Sequence, residues 1–96
     1  MKPRTIGGLP GASCFLPASH TGIPLRRLGE PIVMTPDEFE ALRLVDHEGL
    51  LQEEASVQMR VSRGTVWRCL DSARKKVATM IVEGQALVIE AEARPV

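Results

Sequence analysis

The stretch that decides the fold of this 96-residue chain is residues 52–76, which read QEEASVQMRVSRGTVWRCLDSARKK. Residues 52–55 predict the start of a short helix that runs to about Met59, and the helical pattern breaks at Val61. Ser62 then suits the N-cap of a second, longer helix, because its hydroxyl can accept a hydrogen bond from a backbone N–H of the first turn. Two helices joined by so short a turn predict a helix-turn-helix, a motif whose second helix enters the DNA major groove.

The second helix carries an apolar stripe whose members recur every three or four residues. They are Val66, Leu70, Ala73, Val77 and Met80, flanked by Cys69 and Ile81. At about 100° per residue these side chains fall within an arc of about 120°, so they predict one core-facing side. The opposite side carries small, polar and charged residues: Gly64, Arg68, Asp71 and Lys75, with Trp67 at its edge. Gly84 predicts the end of the helix.

A further helix precedes this motif, and three signals agree on where it starts. Thr35 can cap it, and Pro36 suits its first position, where a missing N–H is tolerated. Glu38, three residues after the cap, completes a capping box. Gly49 predicts the end of this first helix.

Two short segments, residues 31–34 and 86–89, predict strands that pair, because a lone strand leaves its backbone hydrogen bonds unsatisfied. Residues 1–30 are rich in Pro and Gly, and Pro at that density excludes helix. The predicted fold class is therefore mostly α, a helix-turn-helix of three helices with two short flanking strands. The chain divides into an irregular arm at 1–30, the helix-turn-helix domain at 31–90 and a tail at 91–96.

The formal charge of zero hides a polarised distribution. Residues 1–34 carry four basic and one acidic side chain, a net +3, whereas residues 35–59 carry one basic and seven acidic, a net −6. Residues 60–96 carry seven basic and four acidic side chains, again a net +3. The neutral total argues against indiscriminate nucleic-acid binding, while the positive charge beside the turn favours contact with DNA there.

Other classes of function find little support. Cys14 and Cys69 show no metal-ligand spacing, and Cys14 with His20 would supply two of the four ligands of a tetrahedral site, so we expect no metal and no cofactor. No Ser/His/Asp set or phosphate-binding loop is present, so we expect no enzyme. No signal peptide and no run of about 18 apolar residues appear, which predicts a cytoplasmic protein without a membrane partner.

Five segments carry a resemblance to a known protein class. They read MTPDEFEALRL at 34–44, EGL at 48–50, QEEA at 52–55, VSRGTV at 61–66 and ARKKV at 73–77. These segments resemble region 4 of bacterial sigma factors. Over about residues 4–90 the chain is similar to a small prokaryotic family of uncharacterised proteins that are predicted to bind DNA through a sigma-like helix-turn-helix. The resemblance implies double-stranded DNA as the partner and transcriptional regulation as the function.

The chain departs from the pattern of this family at several positions. Leu51 stands where a capping Ser or Thr is usual, which should weaken the start of the first helix of the motif. Arg60 stands at a turn position usually held by Gly, and it fits a positive φ less well. Ser56 replaces a usual Ala where the two helices should pack, and Gly7 stands where a Cys often precedes Gly-Leu-Pro.

The DNA-binding hypothesis assigns ten residues to the interface: Ser62, Arg63, Gly64, Thr65, Trp67, Arg68, Asp71, Arg74, Lys75 and Lys76. Arginine suits guanine, because its guanidinium can donate two hydrogen bonds to O6 and N7. Gly64 would let the helix approach closely, and Trp67 either contacts a thymine methyl or sugar or packs over the helix flank. Arg74, Lys75 and Lys76 are placed for phosphates, which supply affinity without sequence information.

Two further partners follow as expectations. Because sigma region 4 also contacts RNA polymerase, and the acidic segment 35–59 would suit a basic partner, the alternative function is a protein-binding adaptor. A homodimer is also expected, since dimers commonly add a second half-site, and the two strands and the apolar stripe out to Ile81 offer surface for it. The arginines of the arm, Arg4, Arg26 and Arg27, either contact phosphates or are solvated.

Overall fold

The computed structural model describes residues 13–25 and 29–90. The described part contains three strands, which are β1 (Cys14–Phe15), β2 (Ile32–Met34) and β3 (Leu87–Ile89). It contains three helices, which are α1 (Pro36–Ala41, continued by a π-helical segment at Leu42–His47), α2 (Gln52–Met59) and α3 (Arg63–Glu83). The prediction of a mostly helical chain with three helices and short flanking strands is confirmed.

Helix α1 begins with the predicted capping box. The backbone N–H of Glu38 donates to Thr35 Oγ1 at 3.2 Å, and the N–H of Thr35 donates to Glu38 Oε1 at 2.8 Å. Pro36 occupies the first turn as expected. Two backbone donors that the helix itself cannot satisfy are therefore paired within four residues of sequence.

The second half of the first helix winds more widely than the sequence predicts. From Leu42–His47 the chain is a π-helix, and the N–H of Glu48 donates to the carbonyl of Arg43, five residues back, at 2.8 Å. Gly49 follows with φ +81° and ends the segment as predicted. No residue in this stretch marks a π-helix, so we attribute the winding to tertiary packing, in which Leu44 is almost fully buried.

The helix-turn-helix has one weak start and one well-capped start. Before α2, Leu51 donates its N–H to Glu54 Oε1 at 2.8 Å, but its side chain offers no acceptor in return. Arg60 ends α2 with φ +60° and ψ +42°. This is the left-handed conformation expected at a turn position that is usually held by glycine. Ser62 caps α3 as predicted, since its Oγ accepts from the N–H of Thr65 at 3.1 Å.

The sheet has the order β1–β3–β2, so β3 is central. β2 runs parallel to β3 with Ile32 opposite Leu87, which confirms the predicted pairing of these two segments. β1 runs antiparallel to β3 with Cys14 opposite Val88. The prediction of a wholly irregular arm was therefore wrong at Cys14–Phe15, because a two-residue strand shows no periodicity and depends on a partner far along the chain.

Two clusters of buried side chains form the core. The first lies between the three helices and consists of Ala41, Leu44, Ala55, Met59, Val66 and Leu70. The second lies between the sheet and α3 and consists of Met34, Ala73, Leu87 and Ile89. Leu42 packs against both clusters, and α3 contributes residues to both. The long helix therefore joins the helix-turn-helix at one end to the sheet at the other.

The predicted stripe of α3 is buried over most of its length. Val66, Leu70 and Ala73 are fully buried, and Val77 and Met80 pack against the second cluster. Ile81, by contrast, is 71% exposed, so its assignment to the core-facing side was wrong. It lies in the last turn of α3, before the helix ends at Gly84 with φ +65°.

Residues 17–25 fold back on themselves beside the sheet. The N–H of Gly22 donates to the carbonyl of Ser19 at 2.9 Å, and the N–H of Leu25 donates to the carbonyl of Pro17 at 2.9 Å. Ala18 and Pro24 form an antiparallel bridge, so we call this segment the hairpin. It presents exposed apolar side chains rather than the charged ones expected of a DNA-contacting arm.

Candidate nucleic-acid interface

Helices α2 and α3 are held together by the first cluster. Ala55 and Met59 of α2 share it with Val66 and Leu70 of α3, and each of these four side chains is at most 2% exposed. Three residues, 60–62, connect the two helices. Because one side of α3 is fixed against α2, its opposite side at the N-terminal end remains in contact with solvent.

That opposite side is the candidate interface, and we call it the α3 surface. Its exposed members are Ser62, Arg63, Gly64, Trp67, Arg68 and Lys75. Thr65 and Asp71 lie beside them and are half-buried. Trp67 keeps 49% of its area exposed, so a large aromatic face is available to a partner. Eight of the ten predicted site residues therefore lie together on one surface.

The first turns of the α3 surface carry a short chain of hydrogen bonds. Ser62 Oγ lies 2.9 Å from Thr65 Oγ1, and Arg68 Nη2 donates to the same Thr65 oxygen at 3.2 Å. These contacts hold the Arg68 guanidinium along the N-terminal part of α3. A guanidinium held in one orientation loses less side-chain entropy when it binds a planar partner.

Gly64 lies within this surface, and the packing of the chain does not require it. A Cβ added there would lie 3.6 Å from Arg68 Nη1 and 3.9 Å from Ser62 Oγ, which are ordinary contact distances. Glycine inside a helix destabilises it by about 1 kcal/mol relative to alanine. An exposed helical glycine with room for a side chain is suited to the close approach of another molecule.

Two of the ten predicted residues are instead engaged within the fold. Arg74 forms a two-pronged ion pair with Asp46, with Nε–Oδ2 at 2.9 Å and Nη2–Oδ1 at 2.7 Å. The Arg74 guanidinium holds the pKa of the Asp46 carboxyl below its usual value. Lys76 Nζ lies 2.7 Å from Glu38 Oε1 and donates to the carbonyl of Val33 at 2.7 Å. Both cations are therefore paired with carboxylates of this chain, unlike the exposed cations of the α3 surface.

Glu38 connects α3 to the start of α1. Besides the capping contact from Thr35, it accepts hydrogen bonds from Lys76 and from the hydroxyl of Ser72. Burial by itself would raise the pKa of the Glu38 carboxyl, but the donors Lys76, Ser72 and the Thr35 N–H together lower it below its usual value. The sequence predicts the capping role of Glu38, whereas its role as an anchor for α3 depends on residues more than 30 positions away.

The remaining cations near the turn are exposed. Arg63 Nη1 lies 3.3 Å from Glu53 Oε1, and both side chains are mostly in solvent, so the pair is weak. Arg60, which the sequence analysis did not assign to the interface, is exposed in the turn just before the cap of α3. Its position two residues before Ser62, the predicted cap of α3, was the signal that could have identified it.

The acidic segment 35–59 does not form a patch of unpaired carboxylates. Its acidic side chains contact other groups of this chain, among them Glu38, Glu40, Asp46, Glu48, Glu53 and Glu54. Arg43 serves two of them, with Nε 2.9 Å from Glu40 Oε1 and Nη1 3.6 Å from Glu48 Oε2. Arg63, Arg74 and Lys76 lie outside this segment and pair with it, so they reduce its net charge from −6 to −3 (−6 plus 3) and balance about half of it.

Other predicted features concern the arm, metals and membranes. Arg4, Arg26 and Arg27 lie outside the described residues, so their contact with phosphates stays a prediction. Among residues 13–25 and 29–90, no three His, Cys, Asp or Glu side chains come together as a metal site needs. No helix within the same ranges has the length and apolar content needed to cross a bilayer.

The fold and the α3 surface define a three-helix helix-turn-helix domain with a small mixed sheet. The chain matches the family model described as "Protein of unknown function DUF134" over residues 1–93, and it belongs to that family. It is 59% identical over 86 residues to a UPF0251 protein of Pyrococcus abyssi, covering 90% of this chain and 76% of that relative. It is 58% identical over 91 residues to a UPF0251 protein of Pyrococcus furiosus, covering 92% and 79% respectively. No solved structure matches the chain.

Proposed function

We propose that this protein binds double-stranded DNA sequence-specifically and regulates transcription, with the N-terminal half of α3 in the major groove. The observation that carries the proposal is the α3 surface, on which Gly64 and Arg68 are exposed opposite a fully buried stripe and Trp67 is exposed at the edge. Helix α2 supports that surface from behind, because Ala55 and Met59 pack against Val66 and Leu70 of α3. This is the geometry in which the second helix of a helix-turn-helix contacts base edges.

The charges near the turn support the same proposal. Arg60, Arg63 and Arg68 are exposed at the N-terminal end of α3, and Lys75 is exposed further along it. Exposed cations that follow one helix face attract the phosphate backbone and release its counterions. Arg74 and Lys76 contribute less to this attraction, because each is paired with a carboxylate of the same chain.

Arg68 and Lys75 have different roles in this proposal. They lie seven residues apart, so Lys75 is about 10 Å further along the same face of α3. Arg68 lies in the part of the helix that enters the groove, where a guanidinium can donate to guanine O6 and N7. Lys75 lies where the helix leaves the groove and meets phosphates.

The proposal is tested by selection from random duplexes, followed by binding titrations on the enriched site. Arg68→Ala should lower affinity for that site by about 1–3 kcal/mol and reduce discrimination between sites. Lys75→Ala should weaken specific and non-specific DNA about equally and make the salt dependence shallower by about one unit. Selection that enriches no motif would contradict the proposal.

Arg68→Lys is the matched control for charge. It keeps the cation but loses the two-pronged fork, so affinity for non-specific DNA should be retained while preference for the selected site falls. If Arg68→Lys discriminates between sites as well as the wild type, Arg68 does not contact a base.

The alternative function, an adaptor that contacts RNA polymerase, gains no support from a specific contact. The acidic segment that would attract a basic partner is partly balanced by Arg43, Arg63, Arg74 and Lys76 of the same chain, four cations against seven carboxylates. Purified polymerase that retains the protein in the absence of DNA, together with no enriched DNA motif, would favour the adaptor.

A further inference from the structure

One acidic side chain, Asp71, lies among the cations of α3. Arg68 precedes it by three residues, and Arg74 and Lys75 follow it by three and four. Side chains at these spacings are neighbours on a helix surface, and opposite charges there commonly form ion pairs. In the part of the chain that the structure describes, however, no hydrogen bond or ion pair reaches the half-buried carboxylate of Asp71.

The contacts of the three cations explain why Asp71 is not paired. Arg68 Nη2 donates to Thr65 Oγ1 at 3.2 Å, towards the N-terminal end of α3 and away from Asp71. Arg74 directs both prongs of its guanidinium at Asp46 and acts on Asp71 only through its charge at longer range. Lys75 is exposed to solvent. The carboxylate oxygens of Asp71 can therefore accept a donor from another molecule.

Asp71 lies on the side of α3 that the proposed function assigns to the major groove. At about 100° per residue it is about 60° around the helix axis from Arg68 and about 20° from Gly64. It lies about 4.5 Å further along the axis than Arg68, and successive bases of a strand are about 3.4 Å apart. Arg68 and Asp71 are therefore spaced to face neighbouring base pairs.

The chemistry of the groove restricts what a carboxylate can bind there. An ionised carboxylate only accepts hydrogen bonds, and the phosphates repel it. The donors in the major groove are the amino groups N4 of cytosine and N6 of adenine, whereas guanine and thymine present acceptor atoms. Adenine also presents its N7 acceptor beside N6, which opposes a carboxylate, and cytosine has no acceptor beside N4. Cytosine is therefore the base that suits Asp71.

We propose that Asp71 determines specificity at one base pair, by accepting a hydrogen bond from N4 of a cytosine next to the guanine that Arg68 contacts. This inference rests on the proposed function and names a second base that the helix recognises. It also gives Asp71 a role against other sequences. Where the cytosine is missing, the carboxylate loses water without gaining a donor, so binding to that sequence is weakened.

Selection from random duplexes, carried out with the wild type, Asp71→Ala and Asp71→Asn, tests the inference. The wild type should enrich a cytosine beside the guanine, and the Arg68→Ala variant identifies that guanine. Asp71→Ala should reduce the preference for cytosine about tenfold, the effect of one mismatched base pair, and leave the preference for guanine unchanged. Asp71→Asn should change the preference from cytosine to adenine, because an amide can bond to both N6 and N7.

Glu83→Gln is the matched control for the lost charge. Glu83 is an exposed carboxylate in the last turn of α3, 12 residues beyond Asp71. That separation is about 18 Å along the helix, more than the Debye length of about 8 Å at physiological ionic strength. Glu83→Gln should therefore leave both base preference and non-specific affinity unchanged, whereas Asp71→Asn should also raise non-specific affinity severalfold.

Circular dichroism establishes that each variant is folded, and Asp71→Asn keeps nearly the size of the original side chain. A motif that is the same for the wild type, Asp71→Ala and Asp71→Asn would overturn this inference and leave the proposed function in place. So would a wild-type motif without a cytosine beside the guanine, or an equal change of base preference by Glu83→Gln. A wild type that enriches no motif would overturn the proposed function, and this inference with it.

Discussion

At the residue scale, Glu38 shows how one side chain serves two purposes. Its Oε1 accepts the N–H of Thr35, which completes the capping box of α1, and also a hydrogen bond from Lys76 of α3. Its Oε2 accepts a hydrogen bond from the hydroxyl of Ser72, also of α3. Glu38 is only 8% exposed, so the loss of any of these donors would leave a poorly solvated carboxylate. The orientation of α3 against α1 therefore depends on the charge of Glu38.

The charge of Glu38 predicts a pH dependence of stability. Since its pKa is lowered in the folded state, ionised Glu38 stabilises the fold fully above the ordinary value of 4.5, and this contribution is lost as the pH falls through the lower folded-state pKa. Glu38→Gln should lower the free energy of unfolding by about 1–3 kcal/mol at pH 7, because Lys76 loses a charged acceptor. The deficit should shrink at pH 3, as measured by urea unfolding.

Glu83→Gln is the control for this measurement, since Glu83 is an exposed carboxylate at the end of α3. It should change the free energy of unfolding by less than about 0.5 kcal/mol at either pH. If the free energy of unfolding falls equally for Glu38→Gln and for the wild type between pH 7 and pH 3, ionisation of Glu38 is not the cause of the pH dependence.

Arg60, unlike Glu38, has a local conformation that is unfavourable for its residue type, the left-handed region of the backbone. A non-glycine residue in the left-handed region costs roughly 1–2 kcal/mol, and Arg60 has φ +60°. The turn imposes this conformation because α2 and α3 are both fixed by the first cluster. An exposed arginine beside the α3 surface adds positive charge there, which a glycine would not provide.

At the element scale, α2 is the least well specified helix. Leu51 precedes it, is 69% exposed, and gives the first turn no side-chain acceptor. Only the return half of a capping box is present, from Glu54 to the Leu51 N–H. The helix is held chiefly by Ala55 and Met59, which are buried against α3.

Completing this cap should stabilise the protein. Leu51→Ser should raise the free energy of unfolding by about 0.5–2 kcal/mol, because its hydroxyl can accept from the backbone N–H of Glu54 and little buried surface is lost. Chemical denaturation measures the change. Val57→Ser, an equally exposed substitution on the same helix, should not stabilise, and equal gains from both variants would show that capping is not the cause.

At the scale of the whole molecule, α3 makes the two core clusters one folding unit. Its N-terminal half is buried among the helices and its C-terminal half against the sheet, and Leu42 packs against both clusters. An all-α domain beside an independent sheet would unfold in two steps. Sharing one 21-residue helix favours a single cooperative transition.

Leu70→Ala should destabilise the protein by about 2–5 kcal/mol, because Leu70 is fully buried in the first cluster and its loss leaves a cavity. The fluorescence of Trp67, the one tryptophan of the chain, reports on unfolding of the helix-turn-helix. Far-ultraviolet circular dichroism reports on unfolding of the whole domain. Both signals should shift together to lower denaturant concentration. Val57→Ala, on an exposed position, should change stability by less than about 0.5 kcal/mol.

Separate transitions for the two signals would mean that the clusters unfold independently. An unchanged midpoint for Leu70→Ala would mean that the stripe of α3 does not support the core.

The amino-acid sequence by itself determined where the helices begin and end, because those signals act within a few residues. Thr35 with Glu38 and Ser62 with the Thr65 N–H form their caps locally, and Gly49 and Gly84 end their helices through their own backbone freedom. The core-facing side of α3 followed from spacing alone as far as Met80. The cluster of exposed residues around Arg68 followed from the same spacing.

Only the tertiary structure decided which cations remain exposed and where the strand β1 and the π-helical segment form. Three consecutive residues, Arg74, Lys75 and Lys76, carry the same charge. Arg74 pairs with Asp46, 28 residues away, and Lys76 pairs with Glu38, 38 residues away, whereas Lys75 is exposed. The strand β1 and the π-helical segment likewise depend on contacts distant along the chain. No local pattern records such contacts, because they arise only when the folded backbone brings the partners within hydrogen-bond distance.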